Sequence, residues 1–106
     1  MENCELAPCE LMRALLGMRL AGVFDGLAGL VLGRSSGPDA MADGELDYQA
    51  AVQQALAGLA CPVVLDADIG HVPPQWCLLN GAWARLEVSE GTALLQQCHP
   101  LPRAAG

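Results

Sequence analysis

The run Pro62-Val-Val-Leu-Asp-Ala-Asp-Ile-Gly-His71-Val-Pro-Pro74 constrains the fold more than any other part of the sequence. Val63, Val64 and Leu65 suit a buried strand, Gly70 opens backbone conformations closed to other residues, and Pro73-Pro74 stiffens the exit. A strand that stops in this way presents a side chain at its tip. Here that side chain is the imidazole of His71, a proton acceptor and donor. Taken without any relative, a histidine beside a turn is read as structural by default.

The segments around this run complete a layout. Pro8 followed by Cys9 to Ala21 reads as a first helix, with proline at an early position and Gly22 as its stop; Leu11, Leu15 and Leu16 share a face, with Met12 beside them. Val23 to Ala28 is a short turn, and Gly29 to Gly33 is a buried strand bounded by glycines. Arg34 to Gly44, rich in Ser, Gly, Pro and Asp, is a loop. Asp47 or a neighbour caps a second helix through about Leu59, in which Val52, Leu56 and Leu59 recur at helical spacing. After His71 the pattern changes: Trp76 to Leu79 is a candidate strand, Asn80-Gly81 is a hairpin signal, and Ala82 to Val88 alternates as a half-buried strand. Glu90-Gly91 turns the chain into a last strand from Thr92 to Gln96, and about residues 97–106 read as a flexible tail. The expected class is α/β (α+β): a single small domain over residues 1–106 with a mixed β-sheet, two main helices in the N-terminal half and a β meander in the C-terminal half.

Composition removes several function classes. A length of 106 residues bounds the chain to one domain, and 53% hydrophobic content marks it as folded rather than disordered. A formal charge of -7, with only five basic residues, disfavours nucleic acid, whose binding draws on Lys and Arg releasing counterions. The five cysteines, at 4, 9, 61, 77 and 98, fit neither a disulfide framework nor a paired zinc pattern, so they are expected to be buried inert thiols. No cofactor or metal is called for. No apolar run approaches the roughly 18 residues of a membrane span, and the start lacks the basic and apolar blocks of a signal peptide, so neither a membrane role nor export is expected and the cytoplasm is the expected compartment.

With that layout, Gly29-Leu-Val-Leu-Gly-Arg34, a polar loop and helix, Pro62-Val through Ile69-Gly-His71, and Leu79-Asn-Gly81 with its alternating strand form a specific set. The chain resembles the C-terminal domain of the LD-carboxypeptidase family of serine peptidases, which includes the microcin C resistance branch. The resemblance runs through about Leu95, and the Ile-Gly-His block is its most specific part. It implies that His71 is the catalytic histidine and that Glu2, in Met1-Glu2-Asn3-Cys4-Glu5, stands where the family has its acidic triad member. It also implies that the nucleophilic serine belongs to an N-terminal domain, expected on another segment, so that the chain by itself is inactive. In such a triad an imidazole accepts the serine proton while a carboxylate holds the ring in the correct tautomer. The resemblance reverses the structural default for His71. The Arg34-Ser-Ser-Gly-Pro-Asp39 loop is more like the resistance branch than the murein-recycling branch.

Other residues carry bland and sharp readings together. Gly33-Arg34-Ser35-Ser36-Gly37 matches the Gly-x-Ser-x-Gly pattern after a strand, but a nucleophile elbow needs a helix at once, and Pro38 to Gly44 does not supply it; a plain loop is the favoured reading. Asp66 and Asp68 read as charge at a strand end, His99 as solvated, and Trp76 and Trp83 as packed against a sheet or a neighbouring subunit. A domain that normally docks on another exposes apolar surface, here expected near Glu2, His71 and the strand edges, and self-association as a homodimer is a natural consequence. Two functional classes follow. In the first, the chain supplies Glu and His to a hydrolase of cell-wall-type peptides or peptide-nucleotide conjugates, with a serine-bearing N-terminal domain or chain as partner. In the second, it is a non-catalytic remnant acting as an interaction or dimerisation module.

Overall fold

The computed structural model describes residues 1–98. The protein mixes α and β structure in the order α1 (Pro8–Leu20), β1 (Leu30–Gly33), α2 (Tyr48–Ala55), β2 (Val63–Ala67), β3 (Trp83–Ser89) and β4 (Thr92–Cys98). Two compact units divide the chain, Met1–Gln75 and a second that begins at Trp76.

In the first unit, β1 and β2 pair in parallel, Leu30 opposite Val63 and Val31 opposite Val64. Parallel neighbours need a long crossover, and the loop from Arg34 together with α2 supplies it. Leu30 and Leu32 face a core completed by Leu11 and Leu15 of α1, Phe24, and Val52, Ala55 and Leu56 from α2 and its end. Each helix therefore buries one apolar stripe against the strand pair and the other helix. Proline opens α1, where its absent N–H costs nothing. Asp47 caps α2 by accepting from the Ala50 amide at 2.7 Å. The far end of α2 is capped from α1: Arg19 Nη1 donates to the carbonyls of Ala55 (3.0 Å) and Ala57 (2.6 Å), answering acceptors a helix end leaves open. Helix α2 is shorter than the apolar spacing predicts. It ends at Ala55, and Leu59 packs on the core from the turn that follows.

The β1–β2 register slips before its end, since Gly33 pairs with Ala67 and one extra residue lies on β2. Asp66 absorbs that bulge with φ 58°, a backbone region that ordinary residues rarely occupy. The slip sets where the chain leaves the sheet toward His71. On the other edge of β1, the Met1 nitrogen donates to Val31 O at 3.1 Å and Gly33 N to Met1 O at 2.8 Å, the pattern of a parallel neighbour. Residues Met1 to Asn3 thus run beside β1, which lies between them and β2.

In the second unit, β3 and β4 form an antiparallel hairpin from Trp83 opposite Cys98 to Ser89 opposite Thr92. Glu90 and Gly91, both at positive φ (48° and 78°), make its two-residue turn, the combination such turns require. Parallel and antiparallel pairings are both present, but in separate two-stranded sheets. Trp76 to Leu79 is not a strand. Instead the Gln97 side chain exchanges hydrogen bonds with Leu79, accepting from its N–H at 2.8 Å and donating to its carbonyl at 3.1 Å, so a side-chain amide stands in for a third strand. Of the segment expected as a tail, Gln97 and Cys98 belong to β4; the remainder and His99 lie outside the described residues. The hairpin's β3 is largely exposed rather than half-buried, and Trp83, expected to be packed, is 82% exposed.

The thiols also depart from expectation. Cys9, Cys77 and Cys98 are exposed and Cys4 and Cys61 half-buried; of the five, Cys61 packs against the core from its margin. Among the described residues no helix is long and apolar enough to cross a membrane.

Candidate active site

The chain leaves β2 into a loop from Asp68 to Gln75 that has little hydrogen bonding of its own. Ile69 N donates to Ala67 O at 2.7 Å, and the remaining contacts come from side chains. The Gln75 amide reaches the Gly70 carbonyl. Arg34, directly after β1, donates through Nη2 to Val72 O (2.8 Å) and Pro74 O (2.5 Å) and pairs with Asp68 Oδ1 at 3.2 Å. His71 projects from the middle of this loop.

Two glycines let the loop approach so closely. A Cβ on Gly33 would overlap the Ile69 backbone, so the end of β1 must be glycine for the loop to cross it. Gly70, at φ 115°, is required twice over: its backbone is closed to L side chains, and a Cβ there would occupy the space of the Glu2 carboxylate.

Glu2 reaches this point because the segment Met1 to Asn3 is fixed along β1. Asn3, 4% exposed, is the anchor. Its Nδ2 donates to Leu6 O and to Ser35 Oγ, both at 2.8 Å, and its Oδ1 accepts from Leu6 N at 3.1 Å. Ser36 adds a hydrogen bond from Oγ to Cys4 O at 2.7 Å and one from its N–H to Asn3 O at 3.1 Å. The Gly33-Arg34-Ser35-Ser36-Gly37 stretch is therefore a clamp on the N-terminal segment. No helix follows it, and both serine hydroxyls are engaged, so it has none of the geometry of a nucleophile elbow. The composition of this loop marked it as irregular; its partner, Asn3, carried no sequence signal because an anchor of this kind is recognisable only once the two segments are adjacent.

The result is one polar pair. Glu2 Oε2 lies 2.9 Å from His71 Nδ1 across 69 residues of chain. A carboxylate can only accept, so Nδ1 carries the proton in this bond and, in the neutral ring, Nε2 keeps its lone pair. The side chains are 63% (His71) and 31% (Glu2) exposed. At that exposure an ion pair contributes at most about 1 kcal/mol, too little to account for the strained glycine and buried asparagine arranged around it. What the arrangement provides is an imidazole with one nitrogen oriented and the other open.

Beside the loop lies a cavity of about 920 Å³ whose walls include Arg34, Asp39, Tyr48, Asp66 and Val72. Burial, and secondly the Asp66 carboxylate, push the Tyr48 phenol above its ordinary value of 10.0, and its hydroxyl is buried with no hydrogen-bond partner. Asp66 and Asp68 are thus separated in role: Asp68 pairs with Arg34, while Asp66 forms the bulge and faces Tyr48. Among the described residues no group of three or more His, Cys, Asp or Glu side chains is arranged to hold a metal.

Comparison with known proteins follows the same outline. Among curated proteins nothing matches. Among solved structures, the crystal structure of muramoyltetrapeptide carboxypeptidase from Oxalobacter formigenes is similar at 27% identity and a TM-score of 0.77, over 91% of this chain and 34% of that one. The chain thus spans about a third of the length of that structure. The family model described as the LD-carboxypeptidase C-terminal domain matches residues 1–86, a span that takes in both Glu2 and His71. By that match the chain belongs to the LD-carboxypeptidase C-terminal domain family.

Proposed function

We propose that this domain supplies the carboxylate and the general base of a serine-type carboxypeptidase or amidase, Glu2 and His71, to a serine carried on an N-terminal domain. The observation that carries the reading is the 2.9 Å bond from Nδ1 of an otherwise open imidazole to the carboxylate of Glu2, whose chain segment is anchored through Asn3. In the reaction, Nε2 of His71 takes the serine proton as the hydroxyl attacks the scissile carbonyl, and returns it to the leaving amine. Glu2 holds the ring and stabilises the imidazolium formed between these steps. Ser35 and Ser36 are committed to the N-terminal segment, which favours a nucleophile from elsewhere.

The relative's name, muramoyltetrapeptide carboxypeptidase, supports cell-wall-type peptides and a peptidoglycan-recycling role as the first choice; the cytoplasm is the compartment that goes with this proposal. A peptide-nucleotide conjugate, as in microcin resistance, is the second substrate class for the same pair. The test is to mix this chain with a separately produced serine-bearing N-terminal domain of the family and follow release of the terminal D-residue from a tetrapeptide. Turnover above either part alone, abolished by His71→Ala, is expected; no gain, or a gain indifferent to His71→Ala, refutes the reading.

A dimerisation or interaction module without catalysis is the second reading. Exposed Trp83 and Leu94, on the same face of the hairpin, favour it. It predicts a concentration-dependent dimer by sedimentation that Trp83→Ser dissociates, together with failure of the turnover test.

A further inference from the structure

We infer that Arg34 is the positioning residue for His71: its guanidinium fixes the loop on both sides of the imidazole and so sets the ring against Glu2. The inference rests on the reading of His71 as the base.

The loop holds itself through little more than one side-chain contact, the Gln75 amide on the Gly70 carbonyl. Beyond Ile69 N to Ala67 O, no backbone-to-backbone hydrogen bond among the described residues ties Gly70 to Gln75. A segment with so few internal bonds samples several conformations unless side chains restrict it. Besides Gln75, one arginine nitrogen supplies that restriction from the end of β1. Nη2 of Arg34 meets Asp68 Oδ1 three residues before His71, Val72 O one residue after it and Pro74 O three residues after it. These three oxygens bracket the histidine, so a shift of the His71 backbone away from Glu2 pulls on the guanidinium contacts.

The anchor is itself rigid. Arg34 directly follows β1, its own N–H donates to Ala67 O at 3.2 Å, and Gly33 before it is packed against Ile69. Its Nε–H is buried without a partner, so the side chain adopts this pose for its contacts with the loop rather than to satisfy all its own donors. Arg34 reaches neither His71 nor Glu2 directly, and its effect is on where the ring stands. The same residue is adjacent to Ser35 and Ser36, which hold the Glu2 segment. One short stretch thus fixes both members of the pair, the acid through two hydroxyls and the base through the guanidinium.

The test reads the imidazole itself. In the whole chain, nitrogen-15 NMR of His71 is compared between the parent, Arg34→Gln, which removes the charge, and Arg34→Lys, which keeps it. The parent is expected to show a persistent Nδ1–H signal. Arg34→Gln is expected to lose that signal to tautomer averaging while the amides of α1, α2, β1 and β2 keep their shifts, and Arg34→Lys to recover part of it. In the two-part turnover assay, Arg34→Gln is expected to lower kcat roughly 10²-fold, the scale of a small misplacement of a reacting group, with KM little changed. An unchanged His71 signal in Arg34→Gln overturns the inference, as does a spectrum perturbed equally throughout the unit. Should Arg34→Gln not fold, Asp68→Ala removes one of the three contacts, and an unaltered His71 signal there overturns it equally. If no turnover appears with the parent chain, the base assignment fails while the NMR comparison still decides the positioning.

Discussion

Replacing Gly70 by alanine separates backbone strain from damage to the acid–base pair. At φ 115° a residue with a Cβ costs about 1–3 kcal/mol, and the new methyl also fills the space taken by the Glu2 carboxylate. Each kcal/mol lowers the midpoint of a domain this small by roughly 4–8 °C, so a cost near 2 kcal/mol gives a fall of about 8–16 °C in a thermal melt followed by circular dichroism. Gly26→Ala is the control. Gly26 also has positive φ, 71°, but nothing lies within 4 Å of the place its Cβ would occupy, so only the backbone cost of about 1–2 kcal/mol applies. Both variants should melt earlier, and Gly70→Ala alone should lose the His71 Nδ1–H signal, because only there is the carboxylate displaced. A Gly70→Ala protein with that signal intact would refute the argument that position 70 is glycine to make room for Glu2.

Three further outcomes are expected. Asn3→Ala removes three hydrogen bonds around a buried amide and should cost about 1–3 kcal/mol in urea denaturation, with increased hydrogen exchange at the Leu6 and Ser36 amides. Tyr48→Phe removes a buried, unpaired hydroxyl and should be neutral or stabilising by about 1 kcal/mol near pH 7. Because the folded Tyr48 titrates above the ordinary 10.0, the unfolded chain loses its proton first; stability from this group is complete below pH 10 and declines as pH rises toward the folded value, a decline that Tyr48→Phe should abolish. Gly17, inside α1 with open space around it and no positive φ, should give about 1 kcal/mol of added stability when replaced by alanine, measured by the same denaturation.

Much of the first unit was legible because each signal was local. Pro8 and Gly22 bracket α1, Asp47 caps α2, and the apolar runs at Leu30 and Val63 became the paired strands. The length of α2 was not legible: Leu59 continues the helical spacing, but the chain turns after Ala55 and still buries that side chain. Asn80-Gly81 turns the chain as its residues suggest, yet the preceding segment pairs through a glutamine side chain, which no alternation pattern encodes. At the site, Gly70-His71 announced a histidine at a strand exit. Asn3 and Arg34 did not stand out, since the contacts that matter, Asn3 to Ser35 and Arg34 to Asp68, Val72 and Pro74, are 32 or more positions away.

A double-mutant cycle on Glu2 and His71, read as kcat/KM of the chain assembled with a serine-bearing domain, tests the pairing most directly. Residues acting as one unit give non-additive losses. Glu2→Gln should cost roughly 10⁴-fold, His71→Ala at least as much, and the double variant no more than His71→Ala within a few-fold. Losses that multiply, or a Glu2→Gln enzyme as active as the parent, would contradict a carboxylate that works through this imidazole.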